Sequence, residues 1–159
     1  MTTLYPMPDA NTVRTMLGGR FEGVSIRSGK RFAVAAHSGC WVRLYLADNG
    51  APVAACVADS AFAAHAGSAL SLLPVADARA ALVSKKLSEG MVANLREILN
   101  VCARLLMVDG CPHLRLDDLY CSDALPEPAA TLLKRFKWRI DFEFNFPKYG
   151  PGTLAVVST

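Results

Sequence analysis

Glu97 and Asn100, in the run Glu97-Ile98-Leu99-Asn100, are the two side chains whose types and spacing suit joint chemistry. Three residues apart on a helix, a carboxylate and a carboxamide project side by side. The carboxylate can anchor a cation on a partner, and the carboxamide can hold a water by donating and accepting at once. Gly90 and Ala93 keep the approach small just upstream, and Arg104 follows Asn100 by about one turn on the same side. These residues also suit a plain solvated helix face, so the pattern alone leaves both roles open.

Other groups offer less. Cys40, Cys56, Cys102, Cys111 and Cys121 form an odd set without C-x-x-C spacing. Cys102, Cys111, His113 and Cys121 share one segment, but their spacing matches no closed zinc pattern, so buried thiols and no metal site are expected. His65 stands alone on an alanine-rich stretch and reads as structural. The densest basic patches are Ser28–Arg31 and Leu133–Arg139, the second interleaving Phe136 and Trp138 with its cations. Stacking on a nucleic acid is one use of such a patch. A helix end running into an amphipathic strand accounts for it without any nucleic-acid motif, and nucleic acid is not expected as a partner.

The element that must position Glu97 and Asn100 is Ser84–Val108, which reads as one long helix capped by Ser84. At roughly 100° per residue, Leu87, Met91, Leu95, Ile98, Cys102, Leu105 and Leu106 form an apolar stripe. Gly90, Ala93, Glu97, Asn100 and Arg104 fall opposite. Around this helix the pattern predicts a first helix at Pro8–Leu17, capped by Asp9 or Asn11 and stopped by Gly18-Gly19. Strands follow at Phe21–Ile26 and Arg31–Ala36. The clearest hairpin joins Trp41–Leu46 to Pro52–Val57 through Asp48-Asn49-Gly50. Ser60–Leu73 is a small-residue helix and Val75–Val83 a helical connector. Leu114–Cys121 reads as a strand, and Pro126 opens a helix running to Arg135. Trp138–Phe146 alternates Ile140, Phe142, Phe144 and Phe146 with polar residues, the mark of a half-buried strand, and Thr153–Ser158 returns beside it. The class is α+β: helices layered on a largely antiparallel sheet, in a single domain over residues 1–159.

The totals agree. Of the 159 residues 52% are apolar and 19% charged, with a net charge of +3 spread along the chain. No run approaches the ~18–20 apolar residues of a membrane span. The N-terminal stretch MTTLYPMPDANTV lacks the charged and apolar regions of a secretory leader, so a cytoplasmic setting is expected.

Taken in order, these elements resemble the CheC/CheX/FliY family of chemotaxis phosphatases, CheX-type members with a single E-x-x-N site in particular. The parallels are Thr12–Gly18, the Asn49-Gly50 hairpin, Ala61–Leu73, Glu97-Ile98-Leu99-Asn100, Pro126 and Phe142–Val157. Two departures stand out. The family carries Asp or Ser four residues before the Glu, where this chain has Ala93, and Pro126 lies further beyond the Asn than is usual. The resemblance implies hydrolysis of the aspartyl phosphate of a CheY-type response regulator. Asn100 would orient the attacking water and Glu97 would pair with a lysine of the regulator. Gly90, Ala93 and Arg104 would line the partner-binding surface. The regulator's own Mg²⁺ would neutralise charge, with no cofactor on this chain. The alternative within the same fold is a non-catalytic interaction module of a motility or secretion assembly. A homodimer paired through a sheet edge is a further expectation.

Overall fold

The computed structural model describes residues 5–159. Met1–Leu4, where the expected leaderless N-terminus begins, lie outside the described residues. Helix α1 (Ala10–Leu17) is followed by β1 (Ser25–Ser28), β2 (Trp41–Leu46) and β3 (Pro52–Ala58). Next come α2 (Ser60–Ala69), α3 (Val75–Ser84), α4 (Glu89–Cys102), β4 (Arg115–Cys121), α5 (Glu127–Lys134), β5 (Trp138–Phe146) and β6 (Gly150–Ser158). The strands form one six-stranded sheet in the order β1-β5-β6-β3-β2-β4. Every neighbouring pair is antiparallel.

One sheet face carries α1, α2 and α4 over a core that includes Tyr45, Cys56, Phe142, Phe144, Phe146 and Val156. The other packs Val42, Leu44, Ala55, Val57 and Val157 under Ala129 and Leu132 of α5. The centre of the sheet is therefore buried on both sides, which explains why Trp41–Leu46 and Pro52–Ala58 contain almost no polar residues. No helix among the described residues is long and apolar enough to cross a membrane.

The strongest patterns give the elements expected of them. The Trp41–Leu46 strand pairs with Pro52–Ala58, and Gly50 takes φ +85° in the connecting turn, a left-handed geometry open to glycine at no steric cost. Asp9 caps α1 by accepting from the Thr12 amide at 2.8 Å. His65 is buried, its Nδ1 lying 2.7 Å from the Pro151 carbonyl, which makes it a structural residue.

Other expectations need correction. The helix expected over Ser84–Val108 is shorter: Ser84 ends α3, and α4 begins only at Glu89 and closes at Cys102. The chain turns at Lys85, whose φ is +58°, and Ser84 spends its hydroxyl on the Lys86 amide. Ser88 caps α4 instead, accepting from the Met91 amide at 3.3 Å. At its other end α4 tightens into a 3₁₀ turn over Ala103–Leu105. Gly18-Gly19 does not stop the first helix abruptly but continues it as a 3₁₀ turn, Gly18–Arg20. The strand expected at Phe21–Ile26 starts later, because Gly23 turns the chain with φ +73° before β1. Residues 31–36 join no ladder; Phe32 and Val34 lie against the second core instead. Ser60–Leu73 ends its helix at Ala69 and turns through Leu72 at φ +55°.

The polar side of β5 also departs from a half-buried strand. Arg139 donates to both carboxylate oxygens of Asp141 and to the Phe32 carbonyl, and this ion pair is buried beneath the 31–36 segment. Trp138 is buried as well, its indole N–H donating to the Tyr5 carbonyl. Of the Leu133–Arg139 patch, Lys134, Arg135 and Lys137 remain exposed, without the tryptophan that would stack on a base.

Candidate functional site at the C-terminal half of α4

Helix α4 is fixed along its whole length. Met91, Leu95, Ile98, Leu99, Val101 and Cys102 are its buried residues. Asn94 donates to the Gly67 carbonyl and to the Ser71 hydroxyl, both at 2.7 Å, which ties α4 to α2. The two helices meet at Gly67, where an added Cβ would lie 3.0 Å from the Met91 carbonyl oxygen. At the C-terminal end the Tyr45 hydroxyl donates to the Leu99 carbonyl. That carbonyl is among the last four of the helix, which have no partner of their own within it. Burial pushes the Tyr45 phenol well above its ordinary value. A bond to Cys56 and burial push the Cys102 thiol up in the same way, and both thiols are fully buried as packing groups of the core.

A cleft of about 650 Å³ opens between the end of α4 with its 3₁₀ turn and the chain entering β4. Glu97, Asn100 and Arg104 line it, together with Met107, His113 and Leu116 among others. Glu97 and Arg104 are exposed, and neither forms an ion pair with another described residue. Met107 and Leu116 are 41% and 45% exposed and give the cleft an apolar rim. On the far wall His113 Nδ1 lies 3.2 Å from an Asp48 carboxylate oxygen, and Arg115 donates to the Asp48 carbonyl.

Asn100 departs from a fully outward position. It is half-buried, and its Oδ1 is enclosed without a hydrogen-bond partner among the described residues. Helical periodicity sets it opposite the apolar stripe, yet in the fold it lines the cleft from a half-buried position. Gly90 and Ala93 are exposed on the first half of α4 and do not line the cleft. A Cβ on Gly90 would meet only the Ser88 hydroxyl, 4.0 Å away, so the backbone places no demand for glycine there. Among the described residues no group of His, Cys, Asp and Glu is gathered as a metal site.

Sequence reasoning did not single out Tyr45, Gly67, Asn94 or Arg43. The only signal for Arg43 is a cation in the middle of an otherwise apolar strand. It is buried, its Nε has no partner, and burial holds its guanidinium below its ordinary value.

No protein-family model matches the sequence, and no curated protein matches it. Solved structures do. A chain of the CheX–CheY–BeF₃–Mg²⁺ complex from Borrelia burgdorferi aligns over 92% of this chain and 90% of its own, with TM-score 0.51 and 14% identity. Thermotoga maritima FliY aligns over 94% of this chain and 81% of its own, with TM-score 0.51 and 13% identity. A chain of the FliM–SpeE complex from H. pylori aligns over 94% of this chain and 78% of its own, at TM-score 0.55 and 11% identity. The fold is CheC/CheX-like. On this CheC/CheX-like fold, Glu97 and Asn100 stand at the end of a helix anchored to α2 through Asn94 and to the sheet through Tyr45.

Proposed function

We propose that the chain docks on a phosphorylated CheY-type response regulator through the cleft at the end of α4 and promotes hydrolysis of its aspartyl phosphate. The observation that carries this reading is the Asn100 carboxamide. Asn100 lines a cleft shared with the exposed Glu97 and Arg104, and its Oδ1 is enclosed without a partner. A buried acceptor without a donor is costly, and turning the carboxamide into the cleft, where a water reaches it, would satisfy it.

In the proposed reaction water attacks phosphorus, the bond between phosphorus and the aspartyl oxygen breaks, and aspartate and inorganic phosphate leave. The carboxamide of Asn100 accepts from that water and aligns it. Glu97, unpaired and exposed, pairs with a lysine of the regulator, and Arg104 faces the acidic rim of the regulator's pocket. The regulator's own Mg²⁺ supplies charge neutralisation, so the contribution of this chain is positioning and electrostatics. Nothing in the scheme requires a nucleophile or a cofactor on this chain.

A second reading is a docking module without turnover. Two observations favour it: Ala93 stands where the resembling family carries Asp or Ser, and Asn100 is recessed in the cleft wall instead of projecting from it.

The deciding experiment follows loss of phosphate from phosphorylated CheY-type regulators of the same genome, with wild type and with Asn100→Ala. Acceleration by wild type that disappears in the variant supports catalysis. Binding without acceleration selects the docking module. Absence of both across the regulators sinks the proposal.

A further inference from the structure

Two basic stretches far apart in the chain, Ser28–Arg31 and Leu133–Arg139, meet on the α5 side of the sheet. The Arg31 guanidinium lies over the Phe136 ring, 5.1 Å from its centroid, and Arg139 donates to the Phe32 carbonyl at 2.8 Å. Arg31, Lys134, Arg135 and Lys137 are exposed, and none forms an ion pair with another described residue. Asp141, buried nearby, is bound by Arg139. Seventeen cations against fourteen acids give the chain its +3, so without these four the rest carries −1. The net positive charge of the molecule therefore sits on this one patch. Cations favour a helix C-terminus, which accounts for Lys134 and Arg135 but not for Arg31 and Lys137, outside α5.

A groove of about 390 Å³ adjoins the patch, between α5 and the start of β3. Arg135 stands on its wall with Pro52, Pro128 and Leu132, while the acid along it, Glu127, lies about two turns of α5 away from Arg135. We propose that the patch and groove receive an acidic segment of a protein partner. Its carboxylates meet Arg31, Lys134, Arg135 and Lys137, and an apolar side chain beside them enters the groove. A guanidinium whose face rests on a ring keeps its in-plane N–H groups for a carboxylate, as Arg31 does on Phe136. A nucleic acid finds no ring to stack on, since Trp138 is buried and Phe136 lies half-buried under Arg31. A bilayer finds little to take up, since no large apolar side chain is exposed over residues 28–34 or 125–137. This surface is across the sheet from α4 and does not depend on the regulator reading.

The test follows the anisotropy of a short fluorescein-labelled peptide, glutamates flanking one leucine, with the full chain at about 150 mM salt, where only close charges still act. Wild type is expected to bind it. Arg31→Gln combined with Arg135→Gln should weaken binding about 10-fold, the loss of two exposed charge contacts. Lys134→Gln combined with Lys137→Gln should weaken it comparably while leaving Arg31 on Phe136. Arg79→Gln combined with Lys86→Gln removes the same charge from exposed positions elsewhere and should leave binding unchanged. Replacing the peptide's leucine by serine should cost about 5- to 10-fold. Failure of wild type to bind the peptide would overturn the proposal, as would an equal loss in the Arg79 and Lys86 variant. A serine peptide that binds as well as the leucine one would remove the groove from the site. Tighter binding of a single-stranded oligonucleotide than of the peptide would overturn it in favour of a nucleic-acid surface. Tighter binding of phosphatidylserine vesicles would do so in favour of a membrane contact.

Discussion

The Tyr45 hydroxyl on β2 bonds the carbonyl of Leu99, the residue immediately before Asn100. The sheet thus grips the helix one residue before the candidate carboxamide. Tyr45→Phe removes the donor and strands a buried carbonyl, so it should destabilise the protein by about 1–3 kcal/mol in urea unfolding. It should also lower any regulator dephosphorylation, because the end of α4 loses its anchor. A variant as stable as wild type would show that the bond contributes nothing.

Ser88 and Ser84 separate the two accounts of where α4 begins. Ser88→Ala deletes the acceptor for the Met91 amide and is expected to cost about 1 kcal/mol. Ser84→Ala removes only an exposed bond to the Lys86 amide and should stay within about 0.5 kcal/mol. The reverse order in denaturant melts would restore the longer helix.

That break marks how far the sequence can be read. Apolar spacing runs on from Leu82 through Leu87 to Met91, and periodicity cannot show that Ser88 outcompetes Ser84 as a cap. Where alternation and turn chemistry agree, as at Trp41–Leu46 with Asp48-Asn49-Gly50, the strand and its partner were legible directly. Residues 31–36 also read as a strand yet join no ladder among the described residues, because an apolar run reports burial and not a neighbour. Glu97, Asn100 and Arg104 were legible as one group because they share a helix side. The partial enclosure of Asn100 was not, since helical periodicity reports the side of a helix and not what the tertiary fold lays against it. Arg43 was hidden for a related reason: a strand covered on both faces gives no outward side on which to expect a cation.

Asn100→Ala should leave stability within about 1 kcal/mol of wild type, because the deleted Oδ1 satisfies no donor in the described structure. The acceleration of regulator dephosphorylation, if Asn100 holds the water, falls to background. A loss of several kcal/mol in thermal or chemical unfolding would make Asn100 a structural residue and withdraw the site.

The contact of α2 with α4 predicts intolerance at Gly67. A Cβ there would press on the Met91 carbonyl at 3.0 Å, so Gly67→Ala must push the helices apart. About 1–3 kcal/mol of destabilisation is expected. A variant of wild-type stability or above would mean that α2 yields at little cost.

The tyrosines predict a particular response to alkali. Burial raises the Tyr45 phenol well above its ordinary value, burial also raises Tyr5, and the bond to Asp117 takes Tyr120 up to about 12. In the unfolded chain phenols ionise near about pH 10. Above that pH the unfolded state holds fewer protons than the native one, so stability is fully present below about pH 10 and declines as pH rises further. Tyrosinate absorbance of the native protein should lag behind that of the urea-unfolded chain, and melting temperature should fall over the same range. Coincident titrations would contradict the burial of Tyr45.

The two walls of the cleft differ in how they are held. Among the described residues β4 pairs with β2 alone, so the strand has one bonded side, whereas α4 is pinned at Asn94, before the site, and at Leu99, within it. Amide hydrogens of β4 should therefore trade with deuterium far sooner than those of β3, which lies between two strands, or of the middle of α4. Mechanically, the cleft is a vice with one fixed jaw: the polar residues keep their spacing while the opposite wall accommodates the width of what enters.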